Sequence, residues 1–268
     1  MAGRGDHLMF RRWCFLLAAA GIGLSAAQAQ SNLVDSTRTP VPAPQPPTAN
    51  KLSPEMRGDI FMARKMYKEA IETFHEGSPK DPVILNKTGI AYHQLMQLDN
   101  ARKSYEQAIK MKPDYVEALN NIGTVYYAKK SPRRAISWYR RALKIAPEDP
   151  KSASIYMNLG TAFFARKRYD DAMTAYQTAV KLDPDVFERH GNFGVMLEER
   201  SVEERGKYHF YLAKMYAKDG RNELALQYLR KSIEEGFKDK KLGELPEFAG
   251  MKDSPEFQQL LVLQPRVL

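Results

Sequence analysis

The chain repeats itself at a fixed interval, and that interval limits what it can fold into. Leu85, Gly89, Tyr92, Ala101, Tyr105, Ala108 and Pro113 are followed 34 residues later by Leu119, Gly123, Tyr126, Ala135, Tyr139, Ala142 and Pro147. The same types return as Tyr156, Gly160, Phe163, Ala172, Tyr176, Ala179 and Pro184. Self-similarity of this length signals a stacked helical array. Leu119, Gly123 and Tyr126 lie four and three apart and share one helix face, as Ala135, Tyr139 and Ala142 do on a second helix. Lys129-Lys130-Ser131-Pro132 breaks the chain between them, with Pro132 placed to open the second helix and Pro147 to end it. Each unit is therefore an antiparallel helical hairpin. Small Gly123 and Ala135 let the helix axes approach, and large Tyr126 and Tyr139 fill the space beside them. A single hairpin has no closed core, so it buries its apolar face by stacking on its neighbours.

This pattern resembles the tetratricopeptide repeat (TPR). The match rests on the small residue at Gly123, aromatics at Tyr126 and Tyr139, alanines at Ala135 and Ala142, and Pro147, in several copies in register. The family's usual first-helix tryptophan is replaced by Leu85, Leu119 and Tyr156. The resemblance implies an all-α fold, a right-handed superhelical solenoid of antiparallel helix pairs. Units are expected at 51–81, 82–115, 116–149 and 153–186, with a partial unit at 187–200 and a last one at 201–239. The first is shortened by Gly77-Ser78-Pro79, and Pro150-Lys151-Ser152 is inserted before the fourth. Met56, Met62 and Met66 read as flexible core filler on the end unit. Ser201 and Glu204 form a capping-box pattern, and Asp219-Gly220 turns the chain between the last two long helices. Residues 240–268 carry two near copies, Pro246-Glu247-Phe248 and Pro255-Glu256-Phe257, and are expected to cap the end of the array.

The beginning of the sequence reads as an export signal over residues 1–29. Arg11 and Arg12 precede an apolar run from Trp13 to Leu24, and Ala27-Gln28-Ala29 offers small residues for cleavage before Gln30. Residues 30–50, with Pro40, Pro42, Pro44, Pro46 and Pro47, read as an extended, disordered linker. The expected setting is the periplasm or outer envelope of a bacterium, with no transmembrane span in the mature chain. The formal charge is +9, of which residues 1–29 carry +2, leaving +7 for the remainder. The single cysteine, Cys14, lies in the signal, so the rest of the chain has no disulfide, thiolate nucleophile or cysteine metal site.

No catalytic, cofactor or metal pattern is present. Lys87-Thr88-Gly89 inverts a phosphate-loop order and falls within a helix, and His75, His93, His190 and His209 show no metal-binding spacing. Paired carboxylates such as Glu198-Glu199 point apart on a helix. The expected function is a non-catalytic scaffold that binds a protein or peptide. The family resemblance implies that first helices line a concave groove. Its lining would include Asn86, Ile90 and His93; Asn120, Asn121, Thr124 and Tyr127; Met157, Asn158, Thr161 and Phe164; and Phe210 and Lys214. Asparagines can grip a peptide backbone, or they can bond one unit to the next; both readings of Asn121 and Asn158 stand. A carboxylate clamp of the heat-shock type is not expected, because Asn86 and Ile90 fill its first two places. A second surface is basic. Lys129, Lys130, Arg133, Arg134, Arg140, Arg141 and Lys144 gather on the turn and second helix of the central unit, where they either solvate the convex side or dock it on an anionic envelope surface or polymer. Nucleic acid is not an expected partner.

Overall fold

The structure, a computed structural model, describes residues 52–78, 80–189 and 201–264. The helices come in pairs: α1 (Pro54–Ala63) with α2 (Tyr67–His75), α3 (Pro82–Gln94) with α4 (Leu98–Met111), α5 (Val116–Ala128) with α6 (Pro132–Ile145), and α7 (Ala153–Ala165) with α8 (Tyr169–Leu182). A short helix, α9 (Val186–Arg189), leads out of the fourth pair, and α10 (Val202–Lys218) pairs with α11 (Asn222–Glu234). Two 3-10 turns, Leu242–Glu244 and Pro246–Met251, and a last helix, α12 (Pro255–Leu263), complete the array. The expected partial unit at 187–200 lies mostly outside the described residues. No helix among the described residues is long and apolar enough to cross a membrane.

The glycines explain why the hairpins are so tight. A Cβ added to Gly58, Gly89, Gly123 or Gly160 would fall on a ring of Phe74, Tyr105, Tyr139 or Tyr176 respectively, closer than 3.0 Å, which real Cβ contacts essentially never show. Each ring lies 16 residues after its glycine and is fully buried. Only hydrogen at the first position leaves room for a ring at the second, so each pair is one packing unit. In the last hairpin the same two positions are Ala213 and Leu229, both at 0% exposure. The small member has gained a methyl and the large member has lost its ring.

The turn inside each hairpin is also repeated. Lys65, Met96, Lys130, Lys167 and Gly220 all have left-handed backbone, with φ of 58, 58, 55, 58 and 75°. Each lies seven residues after the small packing residue. The residue after it donates its backbone N–H five residues back: Met66 to Phe61, Gln97 to Tyr92, Ser131 to Tyr126, Arg168 to Phe163 and Arg221 to Tyr216, at 2.9–3.0 Å. This is the Schellman helix ending, which satisfies carbonyls that the helix leaves unpaired. Four of the five turns hold a non-glycine residue where glycine fits best.

Three of the second helices, α4, α6 and α8, end for a different reason. Lys112 and Asp183 adopt extended backbone and Ala146 also leaves the helical region, each before a proline that disfavours helical backbone in the residue preceding it. Three of the first helices, α1, α3 and α10, are opened by side-chain caps: Ser53 accepts from Met56 N–H, Asp81 from Val83 and Ile84, and Ser201 from Glu204. Pro150-Lys151-Ser152 forms a 3-10 turn whose Ser152 hydroxyl donates to the Ala146 carbonyl at 2.6 Å, so the insertion is absorbed without breaking the stack.

Two sequence expectations change, and one contact is new. Met56 and Met66 are exposed, at 53% and 36%, and are not core filler; Met62 alone of the three packs against the first hairpin. Tyr126 does not fill the hairpin interior as Tyr139 does. It is half-buried at the edge and stacks on Trp138, with ring centroids 6.5 Å apart and planes 8° from parallel. Finally, α10 is longer than the other first helices and makes a second close crossing. Ser232, at the place of Ala142, is fully buried and donates to the Gly206 carbonyl at 2.7 Å.

Candidate protein-binding site

First helices pack beside one another along one side of the array, and an asparagine ladder fixes their register. Asn121 of α5 donates from Nδ2 to Asn86 Oδ1 of α3 at 3.0 Å. Asn158 of α7 donates from Nδ2 to Asn120 Oδ1 of α5, also at 3.0 Å. The donor always lies two residues before the packing glycine of its unit and the acceptor three residues before that of the preceding unit, so the insertion at 150–152 leaves this bond intact. Of the two readings of these asparagines, the structure realises the bond between units. Ionic contacts on other faces add to the stacking: Lys87 Nζ lies 2.7 Å from both Glu55 Oε1 and Asp59 Oδ2 of α1. Burial draws its pKa down, but the two carboxylates outweigh this and hold it above the ordinary lysine value.

The expected lining residues divide into two groups. Ile90, His93, Asn120, Asn121, Thr124 and Tyr127 are half-buried on α3 and α5, where part of each side chain meets solvent. Asn86, Met157, Asn158, Thr161, Phe164 and Phe210 are buried at 8% exposure or less, so the wall is closed at these positions and they offer a ligand little surface. Packing explains the closure. Phe164 stands edge-on to Tyr169, Tyr208 and Tyr211, with centroids 5.3, 5.5 and 5.9 Å away. Thr161 accepts from the Tyr176 hydroxyl at 3.3 Å. Phe210 stacks on Phe237 at 4.3 Å and meets Phe248 at 6.2 Å. Lys214 Nζ reaches Glu247 Oε1 at 2.9 Å. Burial pushes the Glu247 carboxyl up, but the Lys214 ammonium outweighs it and holds the pKa below the usual carboxylate value. Thus the tail itself covers Phe210 and Lys214.

Burial pulls His93 below the usual histidine pKa, so at neutral pH it presents a neutral ring that can both donate and accept. Sequence reasoning missed one cluster beside the wall. Tyr169 and Tyr211 stack at 4.9 Å, and Lys207 Nζ lies 4.1 Å from the Tyr169 ring centroid. The signal was present as Lys207, Tyr211 and Lys214, four and three apart on one face of α10.

On the opposite side, all seven expected basic residues are exposed. Lys129 pairs with Asp99 at 2.7 Å, and the Arg134, Arg140 and Arg141 guanidiniums lie over the rings of Tyr126, Phe163 and Trp138 at 5.6, 5.6 and 5.3 Å.

Comparison with known proteins agrees with this architecture. The tetratricopeptide repeat profile matches residues 114–185, and a second TPR profile matches residues 89–130. The chain is a tetratricopeptide repeat protein. It is 34% identical over 84 residues to the mouse protein O-mannosyl-transferase TMTC1, a stretch covering 30% of this chain and 9% of that one. It is 31% identical over 100 residues to the chloroplastic TPR domain-containing protein PYG7 of Arabidopsis thaliana, covering 34% and 33%. The match therefore spans a third or less of either relative's length. Among solved structures, MamA of Desulfovibrio magneticus aligns with a TM-score of 0.47 at 22% identity over 68% of this chain and 92% of that one.

Proposed function

We propose that this TPR protein is a non-catalytic adaptor that holds a protein or peptide against the inner wall formed by α3 and α5. The observation that carries the reading is the division of that wall. Ile90, His93, Thr124 and Tyr127 remain partly open to solvent, whereas the corresponding stretch over α7 and α10 is closed by aromatic packing and by the tail. An extended peptide would find apolar surface on Ile90 and Tyr127 and hydrogen-bonding groups on His93 and Thr124. Asn120 and Asn121 retain further amide valences but already serve the ladder, so their primary role is positioning.

The proposed setting is a bacterial envelope, reached through the export signal of residues 1–29. N-terminal sequencing of the mature protein is expected to begin near Gln30; retention of Met1 on an uncleaved chain would remove this part of the reading. The adaptor role is tested with a photo-crosslinking amino acid at Ile90 or Tyr127 in the native host, and at Ser137 on the outer face as control. Discrete partner adducts are expected from the inner positions, and Thr124→Ala with His93→Ala is expected to weaken them. Adducts from Ser137 alone would overturn inner-wall binding.

A further inference from the structure

The outer face of the central hairpin carries features that inner-wall binding does not use. Helix α6, Pro132–Ile145, contains five cations and no aspartate or glutamate. Arg133, Ser137, Arg140 and Lys144 share its outermost face, and the buried Ala135, Ile136, Tyr139, Ala142 and Leu143 lie opposite. Along the flank towards α4 run Arg134, Trp138, Arg141 and Ile145, spaced four, three and four apart. Arg134 lies over Tyr126, Tyr126 stacks on Trp138, and Arg141 lies over Trp138, which gives a continuous strip of flat aromatic and guanidinium surfaces. Arg141 also donates from Nη2 to the Pro113 carbonyl at 3.4 Å, tying the strip to the end of α4.

That end is where apolar surface emerges. Met111 is 44% exposed and Ile145 is 43% exposed. They occupy the same place in their units, three residues after the buried Ala108 and Ala142. The corresponding Leu182 of α8 is half-buried and packed into the core cluster. Exposure at this place is therefore a property of the two central units, where Lys110, Lys112, Arg141 and Lys144 surround it. Most nearby acids are engaged or lie beyond the helix ends: Glu106 pairs with Arg102, Asp99 with Lys129, and Asp149 caps the turn at Lys151, while Asp114 and Glu148 follow Pro113 and Pro147. Asp170 and Asp171 border the surface beside Arg140, and Asp171 pairs with Arg168.

We propose that this outer face docks on a bilayer surface bearing anionic phospholipid headgroups, with α6 lying along the plane, its cations among the phosphates, and Met111, Ile145 and the edge of Trp138 entering the interface. Cations beside exposed apolar tips and an amphipathic indole suit an interface that is charged at the top and apolar just beneath. An acidic protein would use the charges but has less need of apolar tips set among lysines.

The test uses the full chain carrying Trp13→Phe, so that indole emission reports Trp138 alone. It is mixed with vesicles of phosphatidylcholine, or of phosphatidylcholine with phosphatidylglycerol, and co-sedimented. Partition onto the phosphatidylglycerol vesicles, with a blue shift of Trp138 emission and weakening as salt rises, is expected. Arg133→Glu with Arg140→Glu and Lys144→Glu should lower partition on the order of a hundredfold, since each basic residue near an anionic surface contributes several-fold. Met111→Ser with Ile145→Ser should lower it roughly tenfold even at low salt. Unchanged thermal unfolding of these surface variants shows that they remain folded. Equal partition onto both vesicle types, or no effect of charge reversal, would overturn the proposal. So would binding to soluble polyglutamate without binding to vesicles, which would point to an acidic protein. Inner-wall crosslinking is read separately and does not depend on the result.

Discussion

The hairpins α5/α6 and α10/α11 solve one packing problem with different residues. In the first, Gly123 has no side chain and the Tyr139 ring fills the gap, so closely that an added Cβ would strike it. In the second, Ala213 and Leu229 meet at the same two places, again fully buried. A methyl gained on one helix accompanies a ring lost on the other. What the array conserves from unit to unit is the shared volume of the two positions, not the glycine or the tyrosine. The turn contrasts in the opposite sense: α10/α11 has glycine at its left-handed residue, Gly220, while α5/α6 tolerates Lys130 there.

High pH should separate the two kinds of crossing most strongly. Burial holds the Tyr105 and Tyr139 phenols well above their ordinary value, whereas Leu229 has nothing to ionise. The folded state keeps protons that the unfolded chain releases near pH 10, so the stability these groups contribute is complete below that pH and is lost as pH rises above it. Helical signal is expected to collapse in the alkaline range, and Tyr105→Phe with Tyr139→Phe should move the collapse to higher pH. Tyr228, raised to about 12, and Tyr216, raised further, leave a residual transition in the last hairpin.

Truncation comes next in size. Tyr139→Ala should cost about 3–5 kcal/mol in urea denaturation, and Leu229→Ala less, at about 2–4 kcal/mol, because a smaller side chain is removed. Overpacking is smaller again: Gly123→Ala should cost about 1–3 kcal/mol. The turn gives the smallest change. Gly220→Ala should lose about 1 kcal/mol, and Met96→Gly, at an exposed position with φ of 58°, should gain roughly 0.5 kcal/mol.

The repeating architecture was legible in the sequence because spacing carries it. Gly89, Gly123 and Gly160 recur with Tyr105, Tyr139 and Tyr176, and Pro113, Pro147 and Pro184 mark where the second helices end. The left-handed turns were not legible, since Lys65, Met96, Lys130 and Lys167 carry no left-handed preference; only Gly220 announced one. The inner wall was half legible. Counting from each small residue placed Ile90, His93, Thr124 and Tyr127 correctly on the first helices, but it assigned the same accessibility to Phe164 and Phe210. Their burial depends on Tyr208, Phe237 and Phe248, which come from beyond the regular repeat and share no spacing with it. The asparagine ladder lay between: residue type and period were visible, but the choice between neighbour and ligand needed the 3.0 Å distances.

The claim that two positions share one volume is tested most directly by a double-mutant cycle that converts the central crossing into the last one. Stability to urea is measured for Gly123→Ala, for Tyr139→Leu and for the double variant. The account predicts that the double variant loses at least about 1 kcal/mol less than the two single losses added together, because the leucine vacates the space that the new methyl needs. Losses that add to within about 0.5 kcal/mol would contradict it, and would mean that glycine and tyrosine are each required for their own sake.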